Sequence, residues 1–329
     1  MTALAPTLQA FFTDRLILQR GASPHTIGAY RDTMRLLLAF AAERVHRPPN
    51  RLDLADLDAP LIGAFLTHLE HDRNNSVRTR NQRLTAIRSF FTYAAMRHPE
   101  HAESIQQVLA LPSKRHDRNL VTYLSDPEID ALLNACNRET WTGRRDHTML
   151  LVAIQTGLRI SELAGLTIGD VTLGKGANVH TIGKGRKERC TPLRPDTVTA
   201  LRAWLAERKG QPADPLFPTS TGRLLSRDAI EHRVARYVTD ATPSCPSLRT
   251  KNITTHTLRH TCAMRLLAAG VDITVIALWL GHEQVATTSI YLHADMTIKE
   301  RALERTTPPN TTPGRYQPID TLLAFLDSL

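Results

Sequence analysis

Tyr291 follows His282 by nine residues, in the run Gly281-His282-Glu283 through Ser289-Ile290-Tyr291-Leu292-His293, and His256-Thr257-Leu258-Arg259-His260 stands just upstream. Arg159, within Thr156-Gly157-Leu158-Arg159-Ile160-Ser161-Glu162-Leu163, and Lys184, within Gly183-Lys184-Gly185, complete a set of one phenol and five donors suited to a phosphodiester. A phenol that displaces a sugar hydroxyl from phosphorus keeps the phosphoryl group as an ester, so the bond can be remade on another strand. One ester replaces another, and no ATP is called for.

The residue types divide the work. As the phosphorane forms, negative charge grows on its non-bridging oxygens, and fixed cations aimed there favour the transition state over the ground state. Arginine is planar, forked and always charged, which makes Arg159 and Arg259 the candidate clamps. The leaving 5' oxygen needs a proton and the phenol must lose one. Lys184, at a glycine-flanked hairpin tip, is the candidate acid, His256 the candidate acid/base on the phenol side, and His282 a phosphate donor. Each has a bland reading when taken singly: Arg159 could pair with Glu162 three residues on, Lys184 is one of several hairpin lysines with Lys175 and Lys187, and Tyr291 is one of six tyrosines. His256 and His260 are four apart, as metal ligands can be, but no carboxylate stands between them and a cation does, which argues against a metal. His260 reads as a core or supporting histidine.

Composition makes nucleic acid the first partner to test, with a basic but soluble enzyme as the bland alternative. The chain has 329 residues, a formal charge of +9 and 42% apolar residues, and its sequence pI is near 9.7. Two domains are the natural expectation at this length, and such a positive excess draws a protein to polyanions. The four cysteines, at 136, 190, 245 and 262, make no C-x-x-C pair, so neither a disulfide framework nor a zinc module is indicated. With no signal-like start and no apolar stretch long enough to span a bilayer, the expectation is a cytoplasmic, nucleoid-associated protein with no membrane partner and no cofactor.

Certain elements must hold these residues in place. Helical periodicity over Leu8 to Arg20, Ser23 to Arg44, Ala59 to His71 and Arg78 to Arg97 predicts an all-helical unit over residues 1–110. Ser23-Pro24 and Asp58-Ala59-Pro60 supply start signals. From Arg73 to Arg97 there are Arg73, Arg78, Arg80, Arg83, Arg88 and Arg97 but no acid, opposite an apolar face of Leu84, Ile87, Phe90, Phe91 and Ala94. That pattern is either a helix laid on duplex phosphates or a solvated face, and the missing acids favour DNA. Lys114 and Arg115 lie in a basic, proline-marked linker at 111–122, suited to crossing a polyanion.

Residues 123–305 read as a mixed α+β unit. Helices are expected from Ser125 to Leu166, Asp196 to Lys209, Ser226 to Tyr237, Thr257 to Ala268 and Ile273 to Leu280, with Tyr291 in or beside a short helix beginning near Val285. Three short β-type runs, at Val171 to Leu173, Val179 to Ile182 and Cys190 to Leu193, predict a small antiparallel sheet. Beyond residue 306 a proline-rich tether leads to an apolar stripe of Ile319, Leu322, Leu323, Leu326 and Leu329.

Order and spacing together resemble the tyrosine recombinase (phage integrase) family over nearly the whole chain. The sharpest matches are the runs at 156 to 163, 183 to 189 (Gly-Lys-Gly-Arg-Lys-Glu-Arg), 256 to 260 and 280 to 282, followed by Tyr291. The resemblance implies a mainly α protein: a helical, SAM-like core-binding bundle and a catalytic domain that close around double-stranded DNA as a clamp. It also implies a 3'-phosphotyrosine link, a free 5' hydroxyl and a junction made by four protomers. The family's arginines fall on Arg159 and Arg259, its hairpin lysine on Lys184, its histidines on His256 and His282, its nucleophile on Tyr291 and a supporting acid on Glu162. Arg73, Arg78, Arg80, Arg83, Arg88, Lys114, Arg115, Lys187 and Arg189 are the expected DNA contacts. In the family a terminal segment often docks on a neighbouring protomer, and related recombinases can act beside one another; the stripe beyond 306 would dock there or on its own domain. A topoisomerase-like relaxing enzyme and a DNA-binding protein without catalysis are the competing functions.

Overall fold

The computed structural model describes residues 4–115, 121–183, 188–282, 284 and 287–293. The chain divides into two compact units, Met1–Arg118 and Asn119–Leu329.

In the first unit α1 (Leu4–Ala10) runs directly into a wider helical segment, Phe11–Gln19, and is followed by α2 (Pro24–Val45), α3 (Ala59–His71), α4 (Val77–Ala95) and α5 (Ala102–Ala110). The starts after Ser23 and Asp58 are those expected from their caps, and Ser76 adds a third. The Ser23 hydroxyl accepts from the Thr26 amide, the Asp58 carboxylate from the Leu61 amide and the Ser76 hydroxyl from the Thr79 amide, each taking up an amide that the first turn leaves without a partner. Leu84, Ile87, Phe90, Phe91 and Ala94 of α4 are buried against Phe11, Leu37, Phe65 and Ile105 in one core.

The opposite face of α4 is only partly the expected cationic stripe. Arg73 and Arg78 are exposed, Arg83 and Arg88 half-buried, and Arg80 is 7% exposed. Arg80 turns in because Nη1 donates to the Pro112 carbonyl at 3.1 Å, while Arg88 donates to the Leu111 carbonyl. Asn81 exchanges two hydrogen bonds with Lys114, and the Lys114 ammonium pairs with Glu70 at 2.6 Å. Part of the basic residue set therefore straps the segment after α5 onto α4, a use that charge patterning did not reveal.

The second unit contains α6 (Asp126–Asn134), α7 (Trp141–Thr156), α8 (Ile160–Gly165), the strands β1 (Val171–Thr172), β2 (Asn178–Ile182) and β3 (Glu188–Pro192), then α9 (Pro195–Arg208), α10 (Arg227–Ala241), α11 (Thr255–Ala268) and α12 (Ile273–Leu280). The strands form one antiparallel sheet in the order β1-β2-β3, with Val171 opposite Val179 and His180 opposite Cys190. Val179, Thr181 and Thr191 are buried while their neighbours along the strands are not, the alternation that a one-sided sheet requires. The sheet falls where the short β-type runs predicted it. A 3-10 turn, Ser289–His293, carries Tyr291; Val285, where a helix start was expected, lies outside the described residues, as do Lys184, Lys187 and the stripe beyond residue 306.

One core gathers α6, α7, α9 and α10 around Trp204 and Tyr237. Beneath it Asp146 is fully buried and accepts from Arg145 Nε at 2.8 Å and the Tyr237 hydroxyl at 2.9 Å. A second, smaller cluster joins Cys262, Ala263, Met264 and Leu267 of α11 to Ile276 and Leu280 of α12 and to Tyr291.

Candidate active site

Helix ends build this site. α7 stops at Gly157 and α12 at Gly281, both in the left-handed region at φ +64°, where a side chain would be strained. Space is tight as well: a Cβ at Gly157 would come within 2.7 Å of Leu280 Cδ2, and one at Gly281 within 2.9 Å of Arg189 Nη1, so these side chains would have to shift. The carbonyls at these two ends have no partner within their own helices and carry the partial negative charge of a helix C-terminus.

Two guanidiniums take them up. Arg259, in the second turn of α11 and 2% exposed, donates from Nη1 to the Gly157 carbonyl and from Nη2 to the Leu280 carbonyl, both at 2.6 Å. Arg159, just before α8, donates from Nη2 to the Gly281 carbonyl and from Nη1 to Glu162 Oε1, both at 3.0 Å. The pairing of Arg159 with Glu162, read from sequence as the bland alternative, is present together with the convergence on Arg259. Burial lowers the pKa of Arg259 to about 10, with Arg159 adding to the effect, so it stays cationic at neutral pH.

Glu162 accepts at both oxygens, from Arg159 and from Arg189 of β3. Burial alone would raise its carboxyl; the Arg189 hydrogen bonds, the Arg159 amide and the two positive charges outweigh that and hold its pKa below the ordinary value. Arg189, one of the expected DNA contacts, has only 11% of its side chain exposed and grips this carboxylate. Nothing in the spacing of Arg189 indicates the carboxylate 27 residues earlier.

Tyr291 is 1% exposed, and its hydroxyl pairs with His260 Nδ1 at 3.0 Å. Burial pushes its pKa up to about 12 against the pull of Arg259, whose charge is near enough to act on it. His260 is held at about 4, by burial first and then by His256 and Arg259, and is neutral at pH 7. The exposed His256 ring meets the His260 ring edge-on, with centroids 4.3 Å apart. His282 Nδ1 pairs with the Thr288 hydroxyl at 2.7 Å; burial, then Arg259 and Arg159, bring its pKa down to about 4.

The structure thus gathers Arg159, Glu162, Arg259, His282 and Tyr291, with His256 joined to the phenol through His260. Lys184 and Lys187 fall outside the described residues. Arg73, Arg78, Arg80, Arg83, Arg88, Lys114 and Arg115 belong to the other unit. The partnership of His260 with the phenol was missed: sequence placed His260 one turn from His256 but gave no sign of Tyr291, 31 residues away. Among the described residues no group of three His, Cys, Asp or Glu side chains could hold a metal ion, and no helix is long and apolar enough to cross a membrane.

Comparison with known proteins bears on the whole chain. The phage integrase family matches residues 122–297, and the phage integrase N-terminal SAM-like domain matches residues 10–98. The chain is 54% identical to an integrase/recombinase-named protein of Sinorhizobium fredii, y4rC, over 99% of this chain and 98% of that one. It is 33% identical to the tyrosine recombinase XerD of Yersinia pestis, over 86% of this chain and 91% of the relative. The solved XerH site-specific recombinase bound to palindromic difH substrate shares the fold with a TM-score of 0.70 at 24% identity, over 87% of this chain and 81% of that one. The Tn1549 transposon integrase in complex with transposon right end DNA does so with a TM-score of 0.70 at 18% identity, covering 93% and 99% of the two chains.

Proposed function

Because the chain belongs to the phage integrase family, the tyrosine recombinases, whose members are enzymes that exchange DNA strands, we propose that it cuts and rejoins double-stranded DNA at paired specific sites through a covalent 3'-phosphotyrosine. The observation that carries this reading is the convergence of Arg159 and Arg259, pinned by the carbonyls of Gly157, Leu280 and Gly281, beside the phenol of Tyr291.

In this mechanism Tyr291 Oη attacks the scissile phosphorus while the P–O5' bond breaks. Arg159 and Arg259 face the non-bridging oxygens, and because their acceptors hold them beforehand, little reorganisation is needed as charge develops. His282, neutral at pH 7, offers a ring N–H to the same oxygens. The proton leaving the phenol meets His260 first, with His256 beyond it, and Lys184 returns a proton to the 5' oxygen. The free 5' hydroxyl of a second strand then attacks the phosphotyrosine and reverses the chemistry. In the described conformation the Tyr291 ring is buried, so attack requires the turn at Ser289–His293 to shift and bring the phenol to the phosphate. Four protomers on two DNA sites would supply the four strand cuts, with the segment beyond residue 306 docking on a neighbour. We take those sites to be the ends of a mobile element, a role in keeping with the 54% identity to y4rC, which is named an integrase/recombinase.

A nicked suicide substrate carrying candidate element ends tests this. The wild-type chain should form a covalent adduct mapping to Tyr291, and Tyr291→Phe should bind the DNA but form none. An adduct that persists in Tyr291→Phe, or maps to another residue, would sink the assignment. Relaxation of supercoiled DNA with no exchange at any paired site would shift the reading to a topoisomerase-like enzyme.

A further inference from the structure

Arg189 leaves β3 with its guanidinium turned inward and seated end-on against Glu162, Nη1 to Oε1 at 3.0 Å and Nη2 to Oε2 at 2.7 Å. The same two oxygens accept from Arg159, Nη1 to Oε1 at 3.0 Å and the main-chain amide to Oε2 at 2.7 Å. A carboxylate has about four lone-pair sites, and these four donors fill them. Glu162 is therefore shared between a guanidinium that faces the proposed phosphate site and one that does not.

The charge count follows from that sharing. Two guanidiniums and one carboxylate leave a net positive charge at the cluster. Without Arg189 the count falls to zero, and the charge of Arg159 would be compensated by a buried carboxylate 3.0 Å away. In a site of low effective dielectric that compensation is felt strongly. Arg189 also lies against the turn at Gly281, where a Cβ would come within 2.9 Å of its Nη1, and the carbonyl of that glycine orients Arg159 Nη2. Its charge reaches Arg259 and His282 as well.

We propose that Arg189 is a positioning residue for strand cleavage: it counterbalances Glu162 so that Arg159 presents its full charge to the scissile phosphate, and it does so without touching DNA. This rests on the recombinase reading above.

Single-turnover cleavage of the nicked substrate, at saturating DNA, tests the inference with Arg189→Gln, Glu162→Gln, the double variant and Arg189→Lys. Each is assayed on a phosphodiester and on a methylphosphonate, in which a methyl group replaces one non-bridging oxygen and removes its negative charge. Arg189→Gln should slow phosphodiester cleavage on the order of 10- to 100-fold, less than loss of a direct donor. Adding Glu162→Gln should restore several-fold of that loss, and Arg189→Lys, with its charge but no fork, should fall between. The Arg189→Gln penalty should shrink on the methylphosphonate, where less charge has to be met. Equal penalties on both substrates with additive effects in the double variant would reduce Arg189 to a fold-supporting role and overturn the inference. So would unchanged cleavage with weakened binding, which would make it a groove contact. A wild-type adduct with an indifferent Arg189→Gln overturns this inference alone, whereas no wild-type adduct on any site overturns the recombinase reading and this inference with it.

Discussion

Between Arg73 and Arg97 the amino-terminal unit has six arginines and no acid, and three of them, Arg73, Arg78 and Arg97, stand exposed on or beside α4. In the carboxy-terminal unit Arg159, Arg189 and Arg259 are gathered around one carboxylate and three main-chain oxygens, and Arg259 is almost wholly buried. An exposed cation is mobile, screened by salt and interchangeable with its neighbours, which suits adjustable affinity for a polyanion. A sunk and hydrogen-bonded one costs desolvation and is fixed in direction, which suits a charge that exists only in a transition state. On the proposed mechanism the same residue type would serve holding in one unit and chemistry in the other.

That contrast can be broken at either end. The largest effect is expected at the buried end: Arg259→Gln should slow single-turnover cleavage by about a hundred- to a thousandfold, with DNA affinity within a few-fold of wild type. An equal fall in affinity would show that Arg259 is a binding residue like the exposed ones. At the other end, Arg73→Gln with Arg78→Gln should weaken binding several-fold and flatten the dependence of log K on log salt by roughly 0.9 for each lost phosphate contact. Cleavage at saturating DNA should then be unchanged, and a slowed cleavage step there would erase the division of labour.

The smallest effect concerns pH. His260 and His282 sit near 4 in the fold against an ordinary 6.5, through burial and then through neighbouring positive charge. Between those values the unfolded chain binds more protons than the folded one, so stability rises with pH across that window and levels off above it. Thermal unfolding of the DNA-free protein should shift down by a few degrees from pH 7 to pH 5, and His260→Asn should flatten part of that slope. A melting temperature indifferent to pH in this range would contradict the buried, neutral state of the two rings.

Much of the frame was legible in sequence where a single local rule decided it. Ser23-Pro24 and Asp58 announced the starts of α2 and α3, and three β-type runs gave the sheet between α8 and α9. α5 was not anticipated, since Ile105 and Val108 are its only fully buried positions and no side chain caps it. The site divides along the same line. Motif order singled out Arg159, Arg259, His282 and Tyr291, but the seat of each depends on contacts between distant segments: Arg259 with Leu280, His260 with Tyr291, Arg189 with Glu162. Arg80 shows the limit of charge patterning, because a stripe of arginines looks the same whether it awaits phosphates or reaches back to Pro112. The buried carboxylate of Asp146 gave no sign of itself at all.

The oxygens that hold Arg159 and Arg259 belong to the main chain at residues 157, 280 and 281. Oxygens of that kind are not encoded by any side chain, so relatives could replace most of the surrounding residues and still keep them. What inheritance must guard is the path of the backbone through two glycines, and the heading of the guanidiniums comes with it.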